Sequence, residues 1–219
     1  SWVDNNAIIL VKDNVVKGNL KKNISFTLTN SVFSKDEVVI NDNMIVSKDG
    51  ATLIRGYVKE EGGFVIPKTV KTIGNKCFLG QSNLTSIDLT GIETVNSNAF
   101  DNSGLIDLII PESLVNIGDQ AFCCMDTLKT IKIESAAIIG SSSFGDNNYV
   151  ESIDLGTKIV SIGSTAFSNV GTETTDGIKS IVVPASVIDI AEDAFCDFNC
   201  LTINCCFSEK YATDTDRKS

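Results

Sequence analysis

Histidine is missing from all 219 residues. Its absence removes Ser-His-Asp and Cys-His catalysis and the commonest transition-metal ligand. Basic residues are few: 18 Lys and Arg stand against 28 Asp and Glu, a formal charge of −10. That balance argues against nucleic acid or an anionic membrane as partner, since both call for a basic patch. No apolar run is long enough to span a bilayer, so no membrane insertion is expected. The chain starts with Ser1 rather than Met, which reads as a trimmed or processed product and leaves room for a removed signal peptide.

What remains is enough to fold. Apolar residues make up 42%, sufficient for a core and against disorder, and the length suits one domain or an elongated single unit. Charge is unevenly placed. Residues 1–76 hold 11 basic and 8 acidic residues, a net of +3; residues 77–219 hold the other 7 and 20, a net of −13. Near Phe64 the chain changes character.

From there a short phrase returns six times: IGNKCF, VNSNAF, IGDQAF, IGSSSF, IGSTAF and IAEDAF. It ends on Phe78, Phe100, Phe122, Phe144, Phe167 and Phe195, so the steps are 22, 22, 22, 23 and 28 residues. Such a period marks a solenoid with one supersecondary unit per repeat. Between the echoes a second phrase, L-x-x-I-x-I, recurs as LTSIDL, LIDLII, LKTIKI, VESIDL and IKSIVV. Its last four residues alternate apolar and polar, the pattern of a half-buried strand. One strand per coil, stacked in register, predicts a parallel sheet.

The rest of each repeat predicts a corner and a short helix. Pro67, Pro111 and Pro184 follow the strand and end its pairing by removing a donor. A second short extended piece then ends in Ile or Val. Gly74, Asn96, Gly118, Gly140 and Gly163 come next and suit a left-handed corner, while Ala191 breaks the rule and marks a looser last coil. Asn75, Ser97, Asp119, Ser141 and Ser164 follow as helix N-caps, predicting about one helical turn. The small residues Cys77, Ala99, Ala121, Ser143, Ala166 and Ala194 let coils approach, and the six Phe rings are expected to stack as a spine.

The phrase L-x-x-I-x-I-P-x-x-L-V-x-I-G-x-x-A-F resembles the leucine-rich repeat of the BspA-like, or Treponema pallidum, type. Residues 105–122 match it almost position for position, 64–78 and 178–195 match well, and the coils with Thr90 and Glu134 in place of proline are degenerate. The resemblance covers about 43–204 and includes a lead-in hairpin around Lys48-Asp49-Gly50. It implies an α/β, β-rich fold: a right-handed leucine-rich-repeat horseshoe with a parallel sheet on one face and short strands and helical turns on the other. It also implies secretion or display on a cell surface, adhesin-type binding of another protein, and no catalytic constellation or cofactor.

The expected organisation is a β-rich N-terminal cap over 1–63, six repeats over 64–207 and a polar tail over 208–219. Within 1–63, strands are read at 7–11, 24–28, 37–40, 44–46 and 52–54, with turns at Asp13-Asn14 and Asp49-Gly50. The cap shields the bare edge of the first coil; the other reading is a separate binding module. An insertion at 169–177 lengthens the fifth repeat and is expected to bulge as a polar, mobile loop.

Seven cysteines are present. Cys196, Cys200, Cys205 and Cys206 could close a disulfide cap, stay reduced or bind zinc, although their spacing is not the C-x-x-C knuckle and no metal site is assigned. Cys77, Cys123 and Cys124 read as core or near-surface fillers. An odd count leaves one thiol unpaired in a monomer, which suits the cytoplasm better than a secreted protein. Asn23 and Asn83 open glycosylation sequons.

Two columns on the exposed side of the strands are the candidate partner-binding residues: Ser86, Asp107, Thr130, Ser152 and Ser180, and Asp88, Ile109, Lys132, Asp154 and Val182. They project from a rigid sheet, so a partner meets a preformed surface. The columns lack Trp, Tyr and Arg, and Ile109 and Val182 are apolar positions facing water. Three functions fit: a surface binding protein, an intracellular scaffold of the same fold, or a hydrolase using paired carboxylates.

Overall fold

The computed structural model describes residues 10–12, 15–17, 38–41, 43–200 and 202–205. The strand read at 24–28, the turn at Asp13-Asn14, the sequon at Asn23, Cys206 and the tail at 208–219 lie outside them.

Successive coils stack through two ladders of parallel strands. The longer ladder is built from the short pieces. Thr72–Ile73, Thr94–Val95, Asn116–Ile117, Ile138–Ile139, Ser161–Ile162 and Asp189–Ile190 pair in unbroken order. Thr52–Gly56 pairs in parallel with Thr72–Ile73 and antiparallel with Met44–Ser47, which in turn pairs with Val38–Asn41, completing a nine-stranded sheet. The hairpin turn is fixed locally: Asp49 accepts from the Ser47 hydroxyl at 2.5 Å and from Ala51 N at 3.0 Å, and Gly50 is left-handed. Leu10–Lys12 and Val15–Lys17 form a separate antiparallel pair.

The second ladder, from the L-x-x-I-x-I phrase, is not continuous. It falls into three tiles. Gly62–Phe64 pairs with Leu84–Ile87; Asp107–Ile110 pairs with Thr130–Ile133 and then Ser152–Asp154; Ile181–Val183 pairs with Ile203–Cys205. Alternation sets the burial as the sequence predicts, with Leu108, Ile110, Ile131, Ile133 and Ile153 inward.

The phenylalanines form the predicted spine. Neighbouring rings from Phe78 to Phe195 lie 5.0–5.6 Å apart and within 14° of parallel. Stacked rings add about 0.5–1.5 kcal/mol per pair beyond the area they bury. Phe64 closes one end of the stack edge-on at 4.9 Å and Phe198 the other at 5.4 Å. The small residues beside the rings, Cys77 through Ala194, are all buried.

Two expectations need correction. First, the described residues contain no helix. Lys76, Asn98, Gln120, Ser142 and Thr165, two before the first five Phe residues, are left-handed, and so are Gly80, Asn102, Cys124, Asp146, Asn169 and Asp197, two after all six. The turn N–H groups are thereby aimed at the next coil. Phe78, Phe100, Phe122, Phe144 and Phe167 N donate to the carbonyls of Ala99, Ala121, Ser143, Ala166 and Ala194 at 2.7–2.9 Å. One helical turn, with its costly nucleus, does not compete with a bond to the neighbouring coil at each rung. The N-cap residues serve that stacking too: Asp119 Oδ1 accepts from Ser141 N of the next coil at 2.8 Å.

Second, the glycine column is not left-handed. A Cβ on Gly118 would lie 2.7 Å from Ser97 N, and one on Gly140 2.8 Å from Asp119 N. Glycine is needed there because two backbones touch. Ala191 occupies the position in the last coil, where Ile190 and Phe195 are only partly buried.

Candidate functional site

All ten predicted face residues are exposed. The central tile brings six of them together: Asp107, Thr130 and Ser152 lie in one register, and Ile109, Lys132 and Asp154 in the other. Ser86 and Asp88 sit on the first tile, where Ser86 is opposite Gly63, and Ser180 and Val182 on the last. The pairing does not run across the gaps between tiles.

Several of these side chains are already engaged. The Thr130 hydroxyl donates to Asp107 at 2.6 Å. Lys132 pairs with Glu134 at 2.7 Å, and that contact, with Asp154 beyond it, raises the lysine's pKa. Asp88 accepts from Thr90 N at 2.9 Å, and its bonds to Thr90 lower its pKa. Asp154 likewise accepts from Gly156 N at 2.9 Å. Two of the ten are exposed apolar side chains: Ile109 is 57% exposed and Val182 47%. Sequence reasoning missed Val65, 84% exposed in the same column. The match of Phe64-Val65-Ile66-Pro67 with Leu108-Ile109-Ile110-Pro111 carried the signal.

The gap between the second and third tiles coincides with the insertion. The loop is pinned at its base: Gly171 N donates to Asn147 O at 3.1 Å, Glu173 N to Asn148 O at 2.9 Å, and Asn199 Nδ2 to Gly171 O at 2.8 Å. Its rim and the strand face enclose an open cleft of about 610 Å³, lined by Lys129, Tyr149, Glu151, Glu173, Asp176 and Lys179 among others. Lys129 bridges to Glu151 at 3.0 Å and lies 5.6 Å from the Tyr149 ring centroid. The face thus has an aromatic beside it, at a strand entry that the columns did not include.

Burial raises the Cys77 thiol to about 12 and pushes Cys123 and Cys124 up as well; a hydrogen bond to Asp197 raises Cys196. A nucleophilic cysteine needs the opposite shift. Asp49, Asp88 and Glu112 are held below the usual carboxylate range by their hydrogen-bond partners, whereas a general acid is tuned upward. Cys196 and Cys200 are free thiols in the structure. Asn83 spends its amide on the lead-in loop, donating to Lys59 O at 3.0 Å and Val58 O at 3.4 Å, so that sequon is a structural anchor.

The fold has solved counterparts. A leucine-rich repeat protein from Eubacterium ventriosum is 23% identical, with a TM-score of 0.56 over 75% of this chain and 50% of its own. The pneumococcal vaccine antigen PcpA is 21% identical, with a TM-score of 0.59 over 80% of this chain and 48% of its own. A leucine rich cell surface protein from Faecalibacterium prausnitzii is 26% identical, with a TM-score of 0.54 over 80% and 41%. The chain spans half or less of the length of these structures. No curated protein matches it. Residues 61–174 match the BspA type leucine rich repeat region in six copies; with that match covering 114 of 219 residues, the chain belongs to the BspA-type leucine-rich repeat family.

Proposed function

We propose that this protein is a non-enzymatic binding module of the surface adhesin type, which grips another protein with its strand face. The observation that carries the reading is the central tile: Ile109 stands exposed amid fixed polar neighbours, with the Tyr149 cleft alongside. Apolar and aromatic side chains on a rigid frame are what a partner can bury at little ordering cost. Ser86 and Asp88, and Ser180 and Val182 with Val65 in their column, extend the surface on either side. The relatives described as a cell surface protein and a vaccine antigen support display outside the cell. Residues 1–63 are proposed as a cap on the first coil.

The test compares the intact chain with a variant carrying Asp88→Ala, Ile109→Ala, Lys132→Ala and Asp154→Ala, both used as bait for proteins of the native environment. The variant is expected to lose the retained protein while keeping its melting temperature. Equal retention rejects the strand face. An intracellular scaffold is the second reading, favoured by the free thiols among the described residues. Seven free thiols in protein taken from its source, counted after unfolding without reductant, would support it.

A further inference from the structure

The turn column carries a group of donors that the strand face does not use. Cys123 and Cys124 follow Phe122, and Asp101 follows Phe100 at the equivalent place one coil earlier. Neighbouring side chains on an extended strand point to opposite faces. Here Cys124 is left-handed, with φ of 57°, and both Sγ atoms and a carboxylate oxygen of Asp101 lie within 4.8 Å of one another. No other three Cys, Asp or Glu among the described residues gather so closely.

The arrangement is held from behind. Asn102 N donates to Cys123 O at 3.2 Å, and Cys124 N to Gly145 O at 3.0 Å. The Asp101 carboxylate is oriented by two amides, Asn102 Nδ2 at 2.7 Å and Asn98 Nδ2 at 3.3 Å. Such outer contacts are what orient metal ligands. Cys123 is buried, Cys124 and Asp101 are half-exposed, and Asp126 and Asp146 add negative charge facing Cys124.

We propose that Asp101, Cys123 and Cys124 form a binding site for a zinc-type divalent cation. Two sulfurs and one oxygen suit a borderline-soft ion and disfavour magnesium or calcium, and three protein ligands leave the fourth position to water. On binding, each thiol releases its proton to solvent as its sulfur–metal bond forms; no electrons are exchanged. The ion ties the Phe100 coil to the Phe122 coil, which makes it a brace within the stack and separate from the strand-face function.

The test uses the full chain in a thiol-free reductant, with Cys196, Cys200, Cys205 and Cys206 changed to Ser. Cadmium is titrated while the thiolate-to-metal ultraviolet absorption is followed, and zinc is titrated against a chromophoric chelator. One ion per chain is expected, with an absorption that the Cys123→Ser/Cys124→Ser variant loses. Asp101→Asn should weaken affinity about tenfold or more, the scale of a perturbed ligand shell. Absence of a saturable band, or its survival in the double variant, overturns the site. The unsubstituted chain gives a second reading that needs no refolding of a variant: zinc is expected to protect Cys124 from alkylation, mapped by mass spectrometry, and an unchanged rate overturns the proposal.

Discussion

The two sides of each coil are built to different standards. On the turn side the Phe stack runs without interruption through all six coils, and backbone bonds join each turn to the next. On the strand side the ladder is broken twice, and one break carries an insertion and a cleft. Cohesion therefore resides in the turns and the short strands, while the strand side accepts variation. A binding protein gains from this division, because its exposed face can change without unseating the stack.

The largest effect that would sharpen the contrast is in the spine. Phe122→Ala, which removes a fully buried ring stacked on both sides, is expected to cost about 3–5 kcal/mol, read from denaturant unfolding. Phe195→Ala, at the partly exposed end, is expected to cost less than half of that. Equal losses would mean that the rings do not act as a continuous column. Next comes the backbone contact between coils. Gly140→Ala, whose Cβ would press on Asp119, is expected to cost about 1–3 kcal/mol, the range for overpacking. Thermal melts that show no change would mean that the coils can slide apart there at no cost.

The smallest effect concerns the exposed ion pair between Glu112 and Lys158, which reaches across two coils. Lys158 holds the Glu112 carboxyl below its ordinary value. Its contribution is therefore complete above the pKa that Glu112 has in the unfolded chain. It disappears as pH falls through that value to the lower, folded one. Glu112→Gln should shallow the acid limb of the stability curve slightly and leave neutral and alkaline stability almost unchanged. A change confined to alkaline pH would contradict the pairing.

The Phe spine was legible in the sequence because a 22-residue step repeats in several columns at once. The alternating strands were legible for the same reason. The helix was not, because Ser, Asn and Asp satisfy a helix N-terminus and an inter-coil bridge equally well, and only the left-handed residues beside them decide. The glycine column was ambiguous in the same way: freedom of φ and lack of a Cβ leave one signature, and Gly118 and Gly140 are there for the second. The ten face residues were placed correctly on the exposed side. Their division into tiles was not foreseeable: the second gap coincides with the lodging of residues 169–177, and nothing in the repeat phrase marks the first. The Asp101, Cys123 and Cys124 group is 22 residues apart in sequence and becomes visible only when the coils are laid over one another.

The direction of the turn-side bonds has a consequence at the two ends of the turn column. At each rung the amide belongs to the earlier coil and the carbonyl to the later one, so the peptide dipoles add along the stack as they do along a helix axis. That polarity stays local to the turns, because the bonds beside the short strands run the other way: Gly118 N donates to Val95 O and Gly140 N to Ile117 O of the preceding coil, both at 2.8 Å. Arg55 caps the carbonyl pole by donating to Lys76 O, and Asp193 sits at the amide pole, accepting from Thr165 N at 3.3 Å in place of a carbonyl. Each end of the turn column is thus met by a side chain of the opposite sign.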